Sequence, residues 1–437
     1  MKAIEAGLGV PLGRRKMLGT ILLTGAACAA PSVFARPASG EALIFRGIRY
    51  AAADRYAPAE LLPFNESLIQ VERGPVAPQH SSRLAISLGP QAALRQDENC
   101  QVLSVFTPSR SGRRPVIVFI HGGASVTGGG ELPWYDGDLL AREQDVVVVS
   151  ITYRLGALGF WQADGAKGPS PATTDQLEAL RWVQANIDRF GGDPDNVTVA
   201  GQSAGASAAM VLAGWGHSGT LFKRVIFMSS FRPNRDTTLA GAASREFDAV
   251  LGEDPYKASV AALLAAQART GPAKPEGFWR IAVPAEIAPF KADFMGGWTS
   301  EELSAHMLLA EGKSPEPGAS LKRFHPGTQP LAEGCKSLAK HIAALGCTAY
   351  TYSFDWRGPD TGLGNCHCID LSFIFGYRKA WEPAPMLAGV DWADHDRLAR
   401  SMRSQWASFA RNGDPGSGGG PNWTPASATA APVMSLR

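Results

Sequence analysis

The chain carries one serine in a setting that makes nucleophiles. Asn196 to Gly205 reads NVTVAGQSAG, a β-branched run that enters Gly201-Gln202-Ser203-Ala204-Gly205. The pattern G-x-S-x-G between a strand and a helix is a nucleophile elbow. Val197 and Val199 end a strand, and the helix-prone run Ala206, Ala208, Ala209, Met210 and Leu212 follows the turn. So sharp a turn holds Ser203 in a strained backbone conformation and lifts its hydroxyl clear of the sheet. Gly201 and Gly205 are needed because strand and helix pass too close for side chains. The helix that starts here points its partial positive charge at the spot where an oxyanion would form. The chemistry on offer is nucleophilic attack by a serine hydroxyl.

A second feature lies upstream. Pro115 to Ile120 is a buried-strand run, and it ends in His121-Gly122-Gly123-Ala124. In α/β-hydrolases the loop after this strand lends backbone N–H groups to the oxyanion hole, and small residues let a carbonyl oxygen reach the backbone. The expected donors are the amides of Gly123, Ala124 and Ala204.

Further stretches carry a resemblance to a known family. Phe45-Arg46-Gly47-Ile48-Arg49-Tyr50-Ala51 resembles its opening strand motif, with Arg49 where proline is usual, and Asp97-Glu98-Asn99-Cys100 its acidic-Cys signature. Tyr135-Asp136-Gly137, Tyr153 to Phe160 (YRLGALGF), Asp175-Gln176 through Val183, and Phe190 to Pro194 (FGGDP) continue the series. From about Phe45 to its C-terminus the chain resembles the type-B carboxylesterase (cholinesterase-like) family, nearest its bacterial p-nitrobenzyl-esterase-like branch. The resemblance implies an α/β-hydrolase fold, with a mostly parallel central sheet flanked by helices. It also implies a triad in the order Ser, Glu or Asp, His. His367 to Gly376 (HCIDLSFIFG) resembles the catalytic-histidine loop and follows the strand run Ala349 to Phe354. Phe294 to Glu302 (FMGGWTSEE) resembles the strand-end loop that carries the acid five residues after a glycine. Counting from Gly297 selects Glu302, with Glu301 as the alternative. On residue chemistry alone both glutamates would sit in the first turn of a helix capped by Thr299 or Ser300.

The resemblance implies a serine hydrolase of carboxylic esters, working through an acyl-enzyme on a small-molecule substrate. Thioester or amide hydrolysis and acyl transfer use the same parts. A different class, the non-catalytic neuroligin-like binding proteins, typically lacks the serine, which is kept here. No cofactor is implied. Cys366-His367-Cys368 is too tight a triplet to converge on a metal without a second cluster. In the family the cysteine matching Cys100 often pairs with an upstream one, but that position is Ala77 here, so the bridge is expected to be missing.

The elements that must hold these residues come from 437 residues. Strand and helix signals alternate throughout and the site residues run from Ser203 to His367, so residues 36–437 read as a single catalytic domain. Residues 1–35 stand apart. Arg14-Arg15-Lys16-Met17-Leu18 resembles a twin-arginine export signal, an apolar stretch runs from Met17 to Ala30, and Val33-Phe34-Ala35 fits a small-residue cleavage site. The expected location is periplasmic or secreted, and the apolar run is short for a lasting membrane span. Residues 1–35 hold four of the 42 basic and one of the 40 acidic residues, which leaves 38 against 39. That balance gives nucleic acid no electrostatic footing.

Only 99 positions separate Ser203 from Glu302, and 65 separate Glu302 from His367. Both intervals are short for this family. The strands cannot be shortened without losing the sheet, so the helical region over the site is expected to be reduced. A shallow, open cleft favouring short-acyl and aryl esters follows.

Overall fold

Runs of four to seven β-branched and aromatic residues bounded by Gly, Pro and polar clusters become a nine-stranded sheet. The computed structural model describes residues 40–437 except 67, 68, 70, 71, 164, 165, 167, 230–236, 271–288 and 320–324. The expected export segment, residues 1–35, lies outside the described residues. From Pro37 to Arg437 the chain forms one compact unit.

The strands are β1 (Leu43–Arg49), β2 (Val102–Thr107), β3 (Arg114–Ile120), β4 (Val147–Ile151), β5 (Gly192–Gln202), β6 (Arg224–Met228), β7 (Asp293–Thr299), β8 (Ala349–Phe354) and β9 (Val433–Leu436). Their spatial order is β1-β2-β4-β3-β5-β6-β7-β8-β9. The pairs β1–β2 and β2–β4 are antiparallel. All later pairs are parallel. Every residue of β2 and β4 is buried, as expected of strands covered on both faces.

Side-chain alternation along each strand divides the core in two. Val116, Val118 and Ile120 of β3 face one layer with Trp182, Phe190 and Leu212. Ile117 and Phe119 face the other, with Leu140, Trp406 and Phe409. The first layer is covered by helices α2 (Pro171–Asn186), α3 (Ala204–Leu212) and α6 (His325–Ala344). The second is covered by α1 (Asp138–Gln144), α7 (Leu371–Phe375) and α8 (Trp392–Asn412). Two further helices, α4 (Val260–Thr270) and α5 (Ser304–Ala310), flank the site.

Several motif residues serve the frame. Arg154 forks onto Asp175 with both groups buried, and its own amide donates to the same carboxylate at 2.9 Å. Removing one partner of so buried a pair typically costs about 3–5 kcal/mol. Asp136 is held by both Arg46 and Arg73, and Glu98 by Arg55. Cys100 is a buried free thiol, as are Cys335, Cys366 and Cys368, and Cys347 is half-buried and free.

One local expectation fails. α5 begins at Ser304 with Leu303 in the cap position, so both glutamates precede the helix. The hydroxyls that would have capped it are committed elsewhere, Thr299 Oγ1 to Glu302 and Ser300 Oγ to Glu301.

Candidate active site

Five of the parallel strands end on one side of the sheet, and the functional residues sit in the loops that leave them. That is where open α/β sheets bind ligands. β5 ends at Gln202, and Ser203 follows at φ 56°, ψ −122°. A Cβ on Gly201 would lie 2.4 Å from the Gly205 carbonyl carbon, and one on Gly205 would lie 2.0 Å from the Ile120 carbonyl oxygen. Neither approach is possible for a larger residue. The Ser203 amide donates to the Met228 carbonyl at 2.8 Å, which ties the turn to the end of β6. α3 starts at Ala204 with no side-chain cap, so its first amides are not taken by a capping group.

The loop after β3 is held from several sides. The Gly123 carbonyl accepts from the amides of Val126 and Thr127, both at 3.0 Å. Gly123, Ala124 and Ser125 all have positive φ, at 105°, 53° and 61°. Such strain persists only where surroundings over-determine it. Here the buried His121 ring stacks on Tyr153 at 4.4 Å, and the Tyr153 hydroxyl donates to the His121 carbonyl at 2.7 Å. Gln79 clamps Gly128 through both amide atoms. Burial lowers the His121 pKa to about 4, so the ring is a neutral strut.

His367 lies in the segment after β8, and its Nδ1 bonds Glu302 Oε1. A carboxylate can only accept, so Nδ1 carries the proton and Nε2 of the neutral ring is the accepting nitrogen. Glu302 is fully buried. Its Oε2 accepts from the Thr299 amide at 2.9 Å, Thr299 Oγ1 at 2.8 Å and Ser229 Oγ at 3.0 Å. Burial pushes its pKa up, but His367 and these donors pull harder, and the net shift is downward. For His367 burial opposes the charge, Cys368 and Glu302 favour it, and the net shift is upward. Glu301 faces elsewhere. Its Oε2 accepts from the Asn365 amide at 2.9 Å, and its own amide donates to the Asn365 carbonyl at 3.1 Å. It pins the histidine loop two residues before the ring.

Ser203, His367, Gly123 and Ala124 line one cavity of about 630 Å³. Ala204 is the next residue along from Ser203, and Glu302 stands behind the imidazole. Among the described hydrogen bonds, His367 Nε2 is paired with Gln202 Nε2 at 3.1 Å and not with the Ser203 hydroxyl. Bonds of this kind commonly tighten only when substrate is present. The sequence reading missed the supporting roles of Ser229, Thr299, Gln202 and Thr328, whose hydroxyl accepts from the Glu302 amide at 3.1 Å, and also His306, whose ring packs edge-on against His367 at 5.1 Å. Ser229 directly follows β6, at the strand ends that carry the site, and has a φ of 57°.

The sheet order, the elbow and the histidine–carboxylate pair define an α/β-hydrolase. The chain matches the Carboxylesterase family over residues 35–245 and 328–437, and it belongs to that family. It is 34% identical over 417 residues to a probable N-octanoylanthranilate hydrolase of Rhodococcus erythropolis, covering 86% of this chain and 90% of that one. It is 30% identical over 399 residues to the para-nitrobenzyl esterase of Bacillus subtilis, covering 78% and 79%. A solved PNB esterase superposes with a TM-score of 0.75 at 26% identity, covering 92% and 93%. The protein is a carboxylic ester hydrolase.

Proposed function

We propose that the protein cleaves small carboxylic esters through an acyl-enzyme on Ser203, with short-acyl or aryl esters preferred. The observation that carries this reading is the His367 ring, fixed by Glu302 at Nδ1 and lining the same cavity as the strained Ser203. In the proposed cycle Ser203 Oγ attacks the ester carbonyl carbon and its proton passes to His367 Nε2. The carbonyl oxygen becomes an oxyanion facing the amides of Gly123, Ala124 and Ala204. Each well-aimed donor of this kind is worth roughly 3–4 kcal/mol of barrier. Collapse expels the alcohol, which takes the proton from Nε2. Water then repeats the sequence on the acyl-serine and releases the acid. Glu302 holds the tautomer and stabilises the imidazolium.

Aryl groups are supported by the two relatives, a probable N-octanoylanthranilate hydrolase and a para-nitrobenzyl esterase. The first name also favours a second reading, hydrolysis of N-acyl arylamines by the same parts. Ser203→Ala should remove 4-nitrophenyl butanoate hydrolysis, with a drop of roughly 10³-fold or more, while circular dichroism stays unchanged. Turnover at the parental rate in that variant would refute the assignment. Running N-octanoylanthranilate beside the ester separates the two readings.

Residues 1–35 are proposed to be a twin-arginine export leader, supported by Arg14-Arg15 and by a family match that begins at residue 35. N-terminal sequencing of the exported protein should start at Arg36. A start at Met1 in the cytoplasmic fraction alone would overturn this.

A further inference from the structure

The cavity above Ser203 has a one-sided charge. It is lined by His80, Arg83, Gln267, His306 and His367 beside small and apolar residues, and no Asp or Glu lines it among the described residues. Outside residues 1–35 the chain is close to electrically balanced, so this asymmetry belongs to the site. Glu302, the nearby acid, is turned away and spent on His367, Thr299 and Ser229.

Arg83 is the permanent charge in this wall. It has no ion pair or hydrogen bond among the described residues, unlike Arg46, Arg55, Arg73, Arg154 and Arg403, each of which is spent on a carboxylate. It is exposed, yet its turn is built. The Leu84 amide donates to Ser82 Oγ at 3.2 Å, and the Leu88 amide donates to the Leu84 carbonyl at 2.8 Å. His80 Nε2 lies 3.1 Å from the Leu264 carbonyl oxygen, which ties the same segment to α4, the helix whose Gln267 also lines the cavity. The charge is felt inside. The pKa of His306 is lowered by burial first, then by His367, pulled back up by Glu302, and lowered again by Arg83. A guanidinium field that reaches His306 also reaches a ligand beside it.

We infer that the site takes esters carrying a carboxylate remote from the reacting carbonyl, and that Arg83 holds that carboxylate. A guanidinium at the mouth of a low-dielectric cleft pairs with a carboxylate through two parallel N–H donors, and it draws anions inward before contact. Apolar neighbours such as Leu84, Val126 and Leu309 would pack the body of the same molecule.

The inference rests on the ester-hydrolase reading for its biology, but binding can test it without turnover. In the Ser203→Ala protein, calorimetry compares 4-butanamidobenzoate with the neutral 4-butanamidobenzamide. The carboxylate should bind about tenfold more tightly at low salt, and the gap should shrink at ~0.5 M salt. Adding Arg83→Gln should bring the ratio close to one, and Arg83→Glu should invert it. Equal affinity for the pair, or a preference that survives Arg83→Gln, would overturn the inference. A second arm uses the active protein and the ratio of kcat/KM for 4-carboxyphenyl and 4-carbamoylphenyl butanoates. A binding preference with no hydrolysis of either ester would sink the catalytic reading and leave the binding site standing. Hydrolysis of both at one rate with no binding preference would do the reverse.

Discussion

Glu301 and Glu302 are the same side chain one residue apart, and the backbone gives them opposite work. Glu302 lies against the imidazole with its carboxylate in four hydrogen bonds, from His367, Ser229 and twice from Thr299, while Glu301 braces Asn365. Glu302→Gln should therefore lower kcat by several orders of magnitude, because the imidazolium loses its counter-charge and the ring its fixed tautomer. Glu301→Gln should cost far less, through a looser histidine loop. Steady-state kinetics on 4-nitrophenyl butanoate decides, and the opposite ranking would reverse the two roles. Asp370 makes a different claim. It is fully buried, and neither carboxylate oxygen meets a donor in full hydrogen-bond geometry, although the backbone amides of Asp370 and Leu371 still favour its charge. Burial, then the charge of Glu302, raises its pKa to about 7. An unfolded chain loses this proton near pH 4, whereas the folded chain keeps it until about 7. Folding stability should therefore fall as pH rises through that window, by an amount on the order of a few kcal/mol, and level off above it. Asp370→Asn has no proton to lose at this position. Urea unfolding at pH 5 and pH 8 should show a smaller loss in the variant than in the parent. Equal losses would mean that Asp370 is already ionised in the fold.

At the scale of elements, legibility followed the kind of constraint each residue obeys. Ser203 was readable because its elbow needs glycines at fixed places: Gly205 sits where a Cβ would strike the Ile120 carbonyl, and no other residue type can stand there. β3 was readable because a buried parallel strand is a continuous apolar run, and β5 and β8 because β-branched and aromatic residues fill their buried stretches. The choice between two glutamates was made by counting from Gly297. What decides it physically is the turn that spends Thr299 on one and Ser300 on the other. Competition of that kind between hydroxyls, caps and carboxylates leaves no periodic trace, and so α5 was expected to start too early. Ser229 was missed for a related reason. Its contact with Glu302 spans 73 positions and depends on β6 lying beside β7, a neighbour relation that no local pattern encodes. The clamp of Gln79 on Gly128 and the stack of His121 on Tyr153 are long-range in the same sense.

At the scale of the whole molecule, the short intervals between Ser203, Glu302 and His367 leave the nine strands intact, so any economy falls on the material over the site. Among the described residues the cavity is walled by the turn at residues 80–84, the loop after β3, the end of α4 and one face of α5. The cavity of about 630 Å³ is within the usual range for a site that takes a drug-sized molecule. Each acyl CH₂ buried inside it should contribute up to ~0.8 kcal/mol, and each one left outside should contribute nothing. A long acyl chain outgrows the cavity once the alcohol part is also seated. Across 4-nitrophenyl esters from acetate to palmitate, kcat/KM should rise over the first short chains, reach its maximum, and then stay flat or fall. On the open-cleft reading, aryl alcohols should be accepted as well. Measurements must be made below the concentrations at which the long esters form micelles, so that only the monomeric ester is compared. A kcat/KM that climbs steadily through palmitate would require an enclosed tunnel long enough to bury the whole chain, and the open-cleft reading would then be wrong.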